Sequence, residues 1–441
     1  MKTIALIHPK IDFEENYPCN WLPFSVLSIG SALPKGRFQV RIFDEHCVSA
    51  EQICQSLADD DLFIIGISIM TGGGQIKNGL HIAQLLRQAH PSAVTVFGGP
   101  HANVLPSQTA MCELVDYVLS GPGQSVFPQL ADALDRQLPL DNIPGLYYRI
   151  NGRIAVPTQA QACITHLSHY RFELIDPQPY IRYDATISDR TLNYIASQGC
   201  PYGCQFCYEC VYGRKYYCMC PDYVQEDLRI YAEQFQVSGV KFYDADFFIN
   251  RESCNEIIAQ LRNYHLAWAA SIHPNDILRS QKGSHNSLLS AISESRCTRL
   301  LMGMESGSNR ILNEVIHKHT KAEDYLLIAK AIADYGILGS YTFMVGFPGE
   351  TRAEYEETFA LVRKLWELNV PLETKIHIYL PYPGTPLFEQ AIALGHKPPD
   401  QLEGWSDYNY YKAMTPWTDA ALENDLAAYT RMIDKNGGNS P

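Results

Sequence analysis

The sequence predicts an α/β protein with two parallel-sheet domains, because short apolar runs alternate with helical patterns in two separate stretches of the chain. The chain has 441 residues, of which 46% are apolar and 19% charged, and this balance excludes wholesale disorder. At roughly 100–200 residues per domain, it has room for more than one core. We predict a first domain over residues 1–135, a linker over 136–185, a second domain over 186–386 and a small C-terminal cap over 387–441.

The first domain contains five predicted strands separated by helices. The strands are Thr3–Ile7, Phe38–Phe43, Leu62–Ile69, Ala93–Phe97 and Val115–Leu119. The helices are Leu22–Leu33, Ala50–Ala58, Gln75–Ala89 and Ser125–Leu134. Apolar strands that alternate with helices form a parallel sheet covered on both faces. Five such units fit a doubly wound, flavodoxin-like domain, which binds its ligand at the carboxyl ends of the strands.

Glycine-rich segments follow three successive strands of this domain. They are Ser68–Gly74, Gly98–His101 and Gly121–Gln124. Glycine adopts positive φ readily and lets the backbone approach a ligand closely. Any one of these segments fits an ordinary turn between a strand and a helix. Three of them at successive strand ends favour a large, flat ligand.

The second domain repeats the alternation with six predicted strands, after a linker that contains a short hairpin around Asn151-Gly152. The strands are Thr191–Ser197, Val240–Ala245, Ala267–Ile272, Arg299–Met304, Ser340–Val345 and Thr374–Leu380. The helices are Tyr223–Phe235, Cys254–Tyr264, Ser287–Ser295, Ala322–Tyr335 and Arg352–Leu368. Six such units predict a partial (β/α)6 barrel, with the chemistry at the carboxyl ends of the strands.

Charge and hydropathy limit the partners. The net charge of −13 argues against a nucleic acid partner. The longest apolar run, Leu62 to Met70, is far shorter than the roughly 20 residues of a membrane helix, and the N-terminal apolar run breaks too early for a signal peptide. Thirteen cysteines without a sign of secretion fit a reducing compartment. We therefore expect a cytoplasmic protein with no membrane partner, acting on a small molecule or peptide.

The cysteines are concentrated at the start of the second domain. Cys200, Cys204 and Cys207 follow the spacing C-x3-C-x2-C at the end of its first strand. Thiolates select iron–sulfur clusters, zinc or copper(I), and a closed zinc site needs four ligands. Three cysteines on one loop at a barrel mouth favour a cluster with one iron left open.

This spacing, with the aromatic Phe206 before the last cysteine, resembles the signature of the radical S-adenosylmethionine (SAM) enzymes. The resemblance implies that Cys200, Cys204 and Cys207 hold a [4Fe–4S] cluster and that Phe206 lies on the adenine side of SAM. It also implies that an electron from a donor such as flavodoxin or ferredoxin cleaves SAM and yields a 5′-deoxyadenosyl radical.

Later strand ends carry the same resemblance. Tyr243–Phe247 is similar to the family's acidic segment near the SAM amine, and Gly303–Gly307 to the segment near its ribose and carboxylate. Gly346–Thr351 resembles the turn that borders the adenine, and Pro381–Pro386 the usual end of such domains. The SAM-binding residues implied here are Asp244, Asp246, Glu305, Ser306 and Gly346.

The first domain resembles the cobalamin-binding domain of class B radical methylases and related cyclases. The segments that carry this resemblance are Pro18–Pro23, Asp44, Gly66–Thr71, Gly98–His101 and Asp116–Val118. It implies cobalamin contacts at Ser68, Thr71, Gly72, Gly98, Gly99, His101, Gly121, Gly123 and Gln124. One departure is Gly121-Pro122-Gly123-Gln124, where the family usually has Gly-Glu-Gly-Glu. The change removes two carboxylates and stiffens the turn, which leaves the contacts of this turn open.

Two further features keep alternatives open. Asp44–Ser49 partly resembles the Asp-x-His-x-x-Gly loop whose histidine ligates cobalt in other cobalamin enzymes, but Ser49 replaces the glycine and the segment follows the second strand. We expect the lower face of cobalt to meet the loop Thr71–Gln75, with His46 as the alternative.

Cys210, Cys218 and Cys220 are either incidental thiols or an auxiliary metal site. Aromatic residues of the C-terminal cap either line a pocket or, as we expect, pack against the barrel: Trp405, Tyr408, Tyr410, Tyr411 and Trp417.

Taken together, the resemblances imply a cobalamin-dependent radical SAM enzyme, in which the cofactors carry the difficult chemistry. We expect a C-methyltransferase that acts on an unactivated carbon of a small molecule or peptide, through the 5′-deoxyadenosyl radical and methylcobalamin. The first alternative is a radical oxidoreductase, cyclase or ring-rearranging enzyme that delivers no methyl group. A methylthiotransferase would need three more cluster cysteines near the N-terminus and a basic C-terminus. A zinc-stabilised cobalamin carrier or sensor would leave the barrel and Glu305 without a purpose.

Overall fold

The computed structural model describes residues 1–11, 21–157, 167–281, 287–408, 414–418 and 420–435. The residues named above that lie outside this description are Pro18, Cys19, Asn20, Tyr410 and Tyr411. The chain forms two compact units. The first consists of residues 1–180 and 398–409, and the second of residues 181–397 with the described residues from 414 onward.

The sheet of the first unit has seven strands. They are β1 (Thr3–His8), β2 (Gln39–Asp44), β3 (Leu62–Ser68), β4 (Val94–Gly98), β5 (Tyr117–Leu119), β6 (Leu146–Ile150) and β7 (Arg153–Ala155). The order is β2-β1-β3-β4-β5-β6-β7, in which the first five strands are parallel and the last two antiparallel. The order 2-1-3-4-5 is that of a flavodoxin-like sheet, so the predicted fold class is confirmed for this unit.

The described part of this unit has six α-helices: α1 (Phe24–Ala32), α2 (Ala50–Leu57), α3 (Gln75–Ala89), α4 (Pro100–Val104), α5 (Pro106–Met111) and α6 (Gly123–Arg136). Helix α2 begins at a capping box, since Ser49 Oγ accepts from the Gln52 N–H at 3.3 Å and Gln52 Oε1 accepts from the Ser49 N–H at 2.8 Å. The predicted hairpin turn at Asn151-Gly152 is present, with both residues at positive φ. Strands β6 and β7 thus extend the first sheet into residues predicted as a linker.

In its described residues, the second unit contains nine strands. They are β8 (Arg182–Asp184), β9 (Ser188–Tyr194), β10 (Ser197–Gly199), β11 (Tyr216–Cys218), β12 (Gly239–Phe242), β13 (Ala267–Ser271), β14 (Cys297–Glu305), β15 (Leu338–Val345) and β16 (Leu372–Ile378). Six of them form a parallel array in the order β9-β12-β13-β14-β15-β16, and β8 pairs antiparallel with β9 at one edge. The predicted partial (β/α)6 barrel is confirmed. Strands β10 and β11 form a separate antiparallel hairpin.

The helices of this unit are α7 (Pro221–Arg229), α8 (Arg251–Asn263), α9 (Pro274–Gln281), α10 (Ser287–Glu294), α11 (Asp324–Asp334), α12 (Arg352–Glu367), α13 (Pro386–Ala393) and α14 (Ala420–Lys435). A π-helical turn, Ile230–Gln234, continues α7, and another lies at Ile311–Val315. Helices α9, α13 and α14 were missing from the sequence prediction. The predicted strand Thr191–Ser197 is in fact two strands, because the chain leaves the barrel sheet after Tyr194.

Candidate cluster and cofactor sites

The cysteine loop follows β10 and is fixed at both ends. Gly199 has φ +87°, and a Cβ there would lie 2.1 Å from the Lys215 carbonyl oxygen, so only glycine fits. Further along the loop, the Gln205 N–H donates to the Ile316 carbonyl at 2.9 Å, and the Gln205 carbonyl accepts from the Leu387 N–H at 3.2 Å. Cys200, Cys204 and Cys207 are all half-buried on this loop.

The three thiols are not placed as the ligands of a single ion. Burial raises the pKa of Cys200 to about 11 and that of Cys207 to about 12; it also raises the pKa of Cys204, against the lowering effect of the Lys318 ammonium. Such thiols become thiolates when iron binds. Ligands of one tetrahedral zinc ion lie within about 4.6 Å of each other, given Zn–S bonds of about 2.3 Å. Among the described residues, this close spacing of three ligand atoms, within 4.8 Å, occurs at His8, Asp44 and His46 and not at the cysteines.

The same spacing bears on the other three cysteines of the segment. Cys210 donates its N–H to the Cys207 carbonyl at 3.1 Å, and Cys218 Sγ accepts from Asn250 Nδ2 at 3.6 Å. Cys220 is exposed at the start of α7. In the part of the chain that the structure describes, these thiols do not converge on one point, which argues against a single-ion site formed by the three.

Asp244 and Asp246 follow β12 and differ in their hydrogen bonds. Asp244 accepts hydrogen bonds from the Ser197 hydroxyl and, at 3.2 Å, from the Ala196 N–H, so it holds the start of β10. Asp246 Oδ1 accepts from the Phe248 N–H at 3.0 Å, whereas its buried Oδ2 has no hydrogen-bond partner among the described residues. Burial raises the pKa of Asp244 to about 6 and that of Asp246 to about 7. Asp246 therefore offers a buried acceptor to a ligand.

Glu305 and Ser306 lie at the end of β14. Glu305 has φ +67°, a conformation that is costly for this residue type and is found at functional sites. Its Oε1 accepts from Lys318 Nζ at 3.0 Å, and both side chains are buried. Ser306 Oγ accepts from the Ser308 N–H at 3.1 Å and lies 3.3 Å from Thr358 Oγ1, so the hydroxyl fixes this turn onto α12.

The turn after β15 is built around Gly346. Its φ is +85°, and the N–H groups of Gly346 and Phe347 donate to Glu350 Oε2 at 2.5 and 3.1 Å. The Gly346 carbonyl accepts from Trp417 Nε1 at 3.0 Å, which ties the C-terminal segment to this turn. The Phe347 ring lies 6.0 Å from the Phe206 ring of the cysteine loop, measured between centroids. The structure thus brings Phe206 and the Gly346 turn together.

A cleft of about 860 Å³ borders the cysteine loop at Pro201 and Tyr202. Tyr202 stacks on His273 with ring centroids 4.0 Å apart and an angle of 15° between the planes. The cleft is also lined by Asp276, whose Oδ1 lies 3.0 Å from Arg251 Nη2. Sequence reasoning missed these cleft residues, because they are single residues on separate elements and form no motif.

In the first unit, His101 connects the glycine-rich segments after β3 and β4. His101 Nδ1 lies 3.0 Å from Thr71 Oγ1, and both residues are buried. Burial lowers the pKa of His101 to about 4, so the imidazole is neutral, and its buried Nε2 has no partner in the described chain. Gly99 has φ +90°, and a Cβ there would meet the Ile69 carbonyl at 2.7 Å and Ser68 Oγ at 2.8 Å.

The remaining predicted cobalamin residues flank these segments. Gly98 accepts at its carbonyl from the Ile69 N–H at 2.9 Å, which joins the ends of β3 and β4. Gly72 has φ +84° and precedes α3. Gly121 follows β5 at φ +112° and donates its N–H to Asn103 Oδ1 at 2.6 Å, and Gly123 and Gln124 form the first residues of α6.

Residues 398–409 return to the first unit and cover these segments. The Tyr408 carbonyl accepts from the Gly73 N–H at 3.2 Å. Trp405 is buried, its ring 5.4 Å from that of His101, and its Nε1 donates to Gln108 Oε1 at 2.7 Å. Our expectation that Trp405 and Tyr408 pack against the barrel was wrong, since both belong to the first unit. No local pattern in the sequence marks this return.

His46, the alternative cobalt ligand, lies in the loop after β2. Its Nδ1 is 2.7 Å from Asp44 Oδ1, and its Nε2 accepts from the Ile11 N–H at 3.2 Å. Both ring nitrogens thus have partners within this loop and the one after β1.

Comparison with known families identifies both units. The model of the radical SAM superfamily matches residues 194–362, and the model of the B12-binding domain matches residues 15–131. Together these models match well over half of the chain. The chain belongs to the cobalamin-dependent radical SAM enzymes, and its cofactors are a [4Fe–4S] cluster, SAM and cobalamin. The family resemblance read from the sequence is confirmed.

Particular relatives extend the likeness. A protein named "Uncharacterized methyltransferase PH0819", from Pyrococcus horikoshii, is 28% identical over 334 residues, which are 75% of this chain and 69% of the relative. The anaerobic magnesium-protoporphyrin IX monomethyl ester cyclase of Rubrivivax gelatinosus is 25% identical over 410 residues, 90% of this chain and 70% of the relative.

The fold also has a solved counterpart. The radical SAM methyltransferase TsrM from Kitasatospora setae, solved with cobalamin and a [4Fe–4S] cluster, superposes with a TM-score of 0.73 at 16% identity, covering 97% of this chain and 90% of TsrM. This likeness shows the shared two-domain architecture. Among the described residues, no helix has the length and apolar character needed to cross a membrane.

Proposed function

We propose that the chain is a C-methyltransferase that acts on an unactivated carbon of a small molecule or peptide. The observation that carries the proposal is the presence, in one chain, of a three-cysteine loop at the mouth of a partial barrel and a B12-binding unit. The relative named as a methyltransferase has the higher identity of the two described above, 28% against 25%.

We assign the cluster to Cys200, Cys204 and Cys207, whose spacing exceeds that of ligands to one ion. When bound, the cluster supplies an electron that cleaves SAM, and cobalamin supplies the methyl group. Asp246 suits the ammonium group of SAM, because its buried Oδ2 is otherwise unpartnered. Phe206 and the Gly346 turn suit the adenine, since the aromatic pair Phe206 and Phe347 offers a flat apolar surface.

Two of the other predicted SAM residues act through their neighbours. Asp244 holds the start of β10 and so orients the cysteine loop, and Ser306 fixes the turn after β14. The charged pair of Glu305 and Lys318 acts on Cys204 in two directions, since the ammonium lowers the pKa of this thiol and the carboxylate raises it. These side chains are buried, which keeps water away from the reacting groups.

For cobalamin we propose the carboxyl edge of the first sheet. Thr71 and His101 have buried polar side-chain atoms at this edge. Gly99 is packed too closely to carry a side chain, so no side chain at this position separates the backbone from a flat ligand. The proposed contacts are Ser68, Thr71, Gly72, Gly98, Gly99, His101, Gly121, Gly123 and Gln124. The neutral imidazole of His101 has a free Nε2 for a hydrogen bond to the cofactor.

A second candidate function is an oxidative or ring-forming reaction without methyl transfer. The cyclase of Rubrivivax gelatinosus supports it, because the likeness extends over 90% of this chain. In either case we propose a reducing cytoplasm and a donor such as flavodoxin or ferredoxin, since the described cysteines are all free thiols.

The test is anaerobic purification with iron, sulfide and hydroxocobalamin, followed by incubation with reductant and SAM that carries a labelled methyl group. The methyltransferase proposal predicts 5′-deoxyadenosine and labelled methylcobalamin from the wild-type chain. Bound cobalamin and 5′-deoxyadenosine without labelled methylcobalamin would favour the second candidate. Cys207→Ala should abolish 5′-deoxyadenosine, whereas the matched control Cys220→Ala, at an exposed thiol of the same segment, should retain it.

A further inference from the structure

The loops after β1 and β2 bring together three residues with metal-binding side chains. His8 is the last residue of β1 and pairs in register with Asp44, the last residue of β2, and His46 follows two residues later. One ligand atom from each of the three lies within 4.8 Å of the other two. This cluster belongs to the first unit and is separate from the cysteine loop.

The cluster is compact, and its carboxylate is buried between two partly buried histidines. The side chains of His46 and Asp44 are only 4% and 1% exposed, and His46 Nδ1 lies 2.7 Å from Asp44 Oδ1. The rings of His8 and His46 are stacked, with centroids 5.8 Å apart and an angle of 28° between the planes. Both imidazoles therefore lie beside one carboxylate.

Of the two carboxylate oxygens of Asp44, only Oδ1 has well-formed hydrogen bonds to described residues. Oδ1 accepts from the His46 N–H at 3.0 Å and pairs with His46 Nδ1. The buried Oδ2 has no hydrogen bond of standard geometry among the described residues, although the Tyr180 hydroxyl lies close enough for Asp44 to raise its pKa. A buried carboxylate oxygen without a partner is costly, and a cation is one group that satisfies it.

His8 is also weakly engaged. Its Nδ1 lies 3.5 Å from Ser25 Oγ and its Nε2 lies 3.4 Å from Gln75 Nε2, both at the limit of a hydrogen bond. An imidazole that has only long contacts and lies beside a carboxylate and a second imidazole can turn to bind an ion without breaking a strong hydrogen bond.

We propose that His8, Asp44 and His46 bind one divalent transition-metal ion of the zinc or iron(II) type. Two imidazoles and one carboxylate are a ligand set that both ions accept, and three protein ligands leave a further position for water. The ion binds at His46 Nδ1, so the proton that bridges this atom to Asp44 Oδ1 moves to Nε2, and Nε2 gives up the hydrogen bond that it accepts from the Ile11 N–H. A carboxylate that binds the ion through both oxygens also satisfies Asp44 Oδ2. The ion joins the ends of two neighbouring strands at the edge where a flavodoxin-like sheet binds its ligand.

The site would also fix the loop Thr71–Gln75. Gln75 Nε2 donates to the Pro9 carbonyl at 2.8 Å, next to His8, and Gln75 Oε1 accepts from the Met70 N–H at 3.1 Å. Because Gln75 spans both segments, an ion that immobilises His8 also immobilises the residue that closes this loop.

The experiment uses Zn²⁺ as the probe on the full-length chain, with the cluster reconstituted so that its cysteines are occupied. Zinc per chain is measured by mass spectrometry after removal of free metal, and affinity by calorimetry. We expect about one zinc ion per wild-type chain and, for His8→Gln, an affinity at least about tenfold weaker, since even outer-shell changes cost that much. The control His81→Gln changes an exposed histidine of the same unit, 3.9 Å from Glu51, and should bind like the wild type.

Equal zinc binding by the wild type, His8→Gln and His46→Gln would overturn the proposal, as would the absence of zinc from the folded wild-type chain. Zinc that is lost in Cys210→Ala or Cys218→Ala but kept in His8→Gln would place the ion at thiols and equally overturn it. A changed cobalamin spectrum in His8→Gln with unchanged zinc would mean that the histidine serves cobalt instead. Circular dichroism checks that each variant folds. Asp44→Asn is a further variant that alters one of the three ligands. The proposal does not depend on methyl transfer, so its failure would leave the proposed function intact.

Discussion

Glu305 and Lys318 form a buried ion pair, with Oε1 and Nζ 3.0 Å apart, whose charges both act on the pKa of the Cys204 thiol. Lys318 lies in the segment that follows a π-helical turn, and its backbone N–H donates to the Leu312 carbonyl at 2.7 Å. The pair therefore joins the strained end of β14 to the loop that also receives Gln205. One interaction orders three segments around the cluster loop.

Glu305→Gln should destabilise the chain. It leaves the Lys318 ammonium buried without its counterion, which costs about 3–5 kcal/mol in the free energy of unfolding. Urea unfolding of the cofactor-free chain measures this loss. Glu356→Gln breaks the exposed pair with Arg352 and should cost less than about 0.5 kcal/mol. Equal stability of the two variants would contradict the structural role of the buried pair.

SAM binding should strengthen as the pH rises through about 7. Burial raises the pKa of Asp246 to about 7, so its carboxyl is protonated below that pH and charged above it. Only the carboxylate attracts the SAM ammonium, so affinity is lost as the pH falls. By the same sign, this raised pKa makes the folded state less stable as the pH rises from about 4 to 7, because the unfolded group ionises first.

Calorimetric titration of the cluster-loaded chain with SAM, between about pH 6 and 8, measures this dependence over one unit on either side of the pKa. In Asp246→Asn the affinity should be weak and should vary much less with pH. Asp244 and Glu350 also have raised pKa values, of about 6 and about 7, and a pH profile that persists in Asp246→Asn would assign the titration to one of them.

Much of the fold was predictable because it depends on local patterns. Strands β3 and β4 and helix α3 lie within one or two residues of their predicted bounds, since apolar runs and glycine ends mark them. The break between β9 and β10 was not predictable, because it depends on hydrogen bonds from the Ala196 and Ser197 segment to Asp244, a residue far along the chain.

The sequence predicted which residues belong to the site better than it predicted the role of each one. The sequence indicated Asp244 and Asp246 together, but only the structure shows that Asp244 is fully engaged and that Asp246 has a free oxygen. His8 drew no attention in the sequence, because its partners Asp44 and His46 reach it through the parallel register of two strands.

Gly99→Ala should impair cobalamin binding through steric conflict rather than through its backbone angle alone. Its Cβ would lie 2.7 Å from the Ile69 carbonyl at φ +90°, so the ends of β3 and β4 must separate. Gly36→Ala is the matched control, because Gly36 has φ +78° but nothing within 4 Å of the added Cβ. Gly36→Ala should lose about 1 kcal/mol from positive φ in thermal unfolding, and Gly99→Ala should lose more, because its φ of +90° and ψ of −175° lie in a region essentially restricted to glycine. Only Gly99→Ala should lose cobalamin, as measured by absorbance after gel filtration.

Trp405→Ala should weaken cobalamin binding although Trp405 lies about three hundred residues from His101 in sequence. The buried indole packs against His101 and donates to Gln108 at 2.7 Å, so its removal leaves a cavity and a partly buried amide without its donor. We expect the first unit to lose about 3–5 kcal/mol of stability and the chain to retain less cobalamin. Trp417→Ala is the control in the second unit, where Nε1 donates to the Gly346 carbonyl, and it should affect SAM binding while leaving cobalamin content unchanged. If both variants lose cobalamin equally, residues 398–409 have no particular role in the cobalamin site, and the losses reflect general destabilisation.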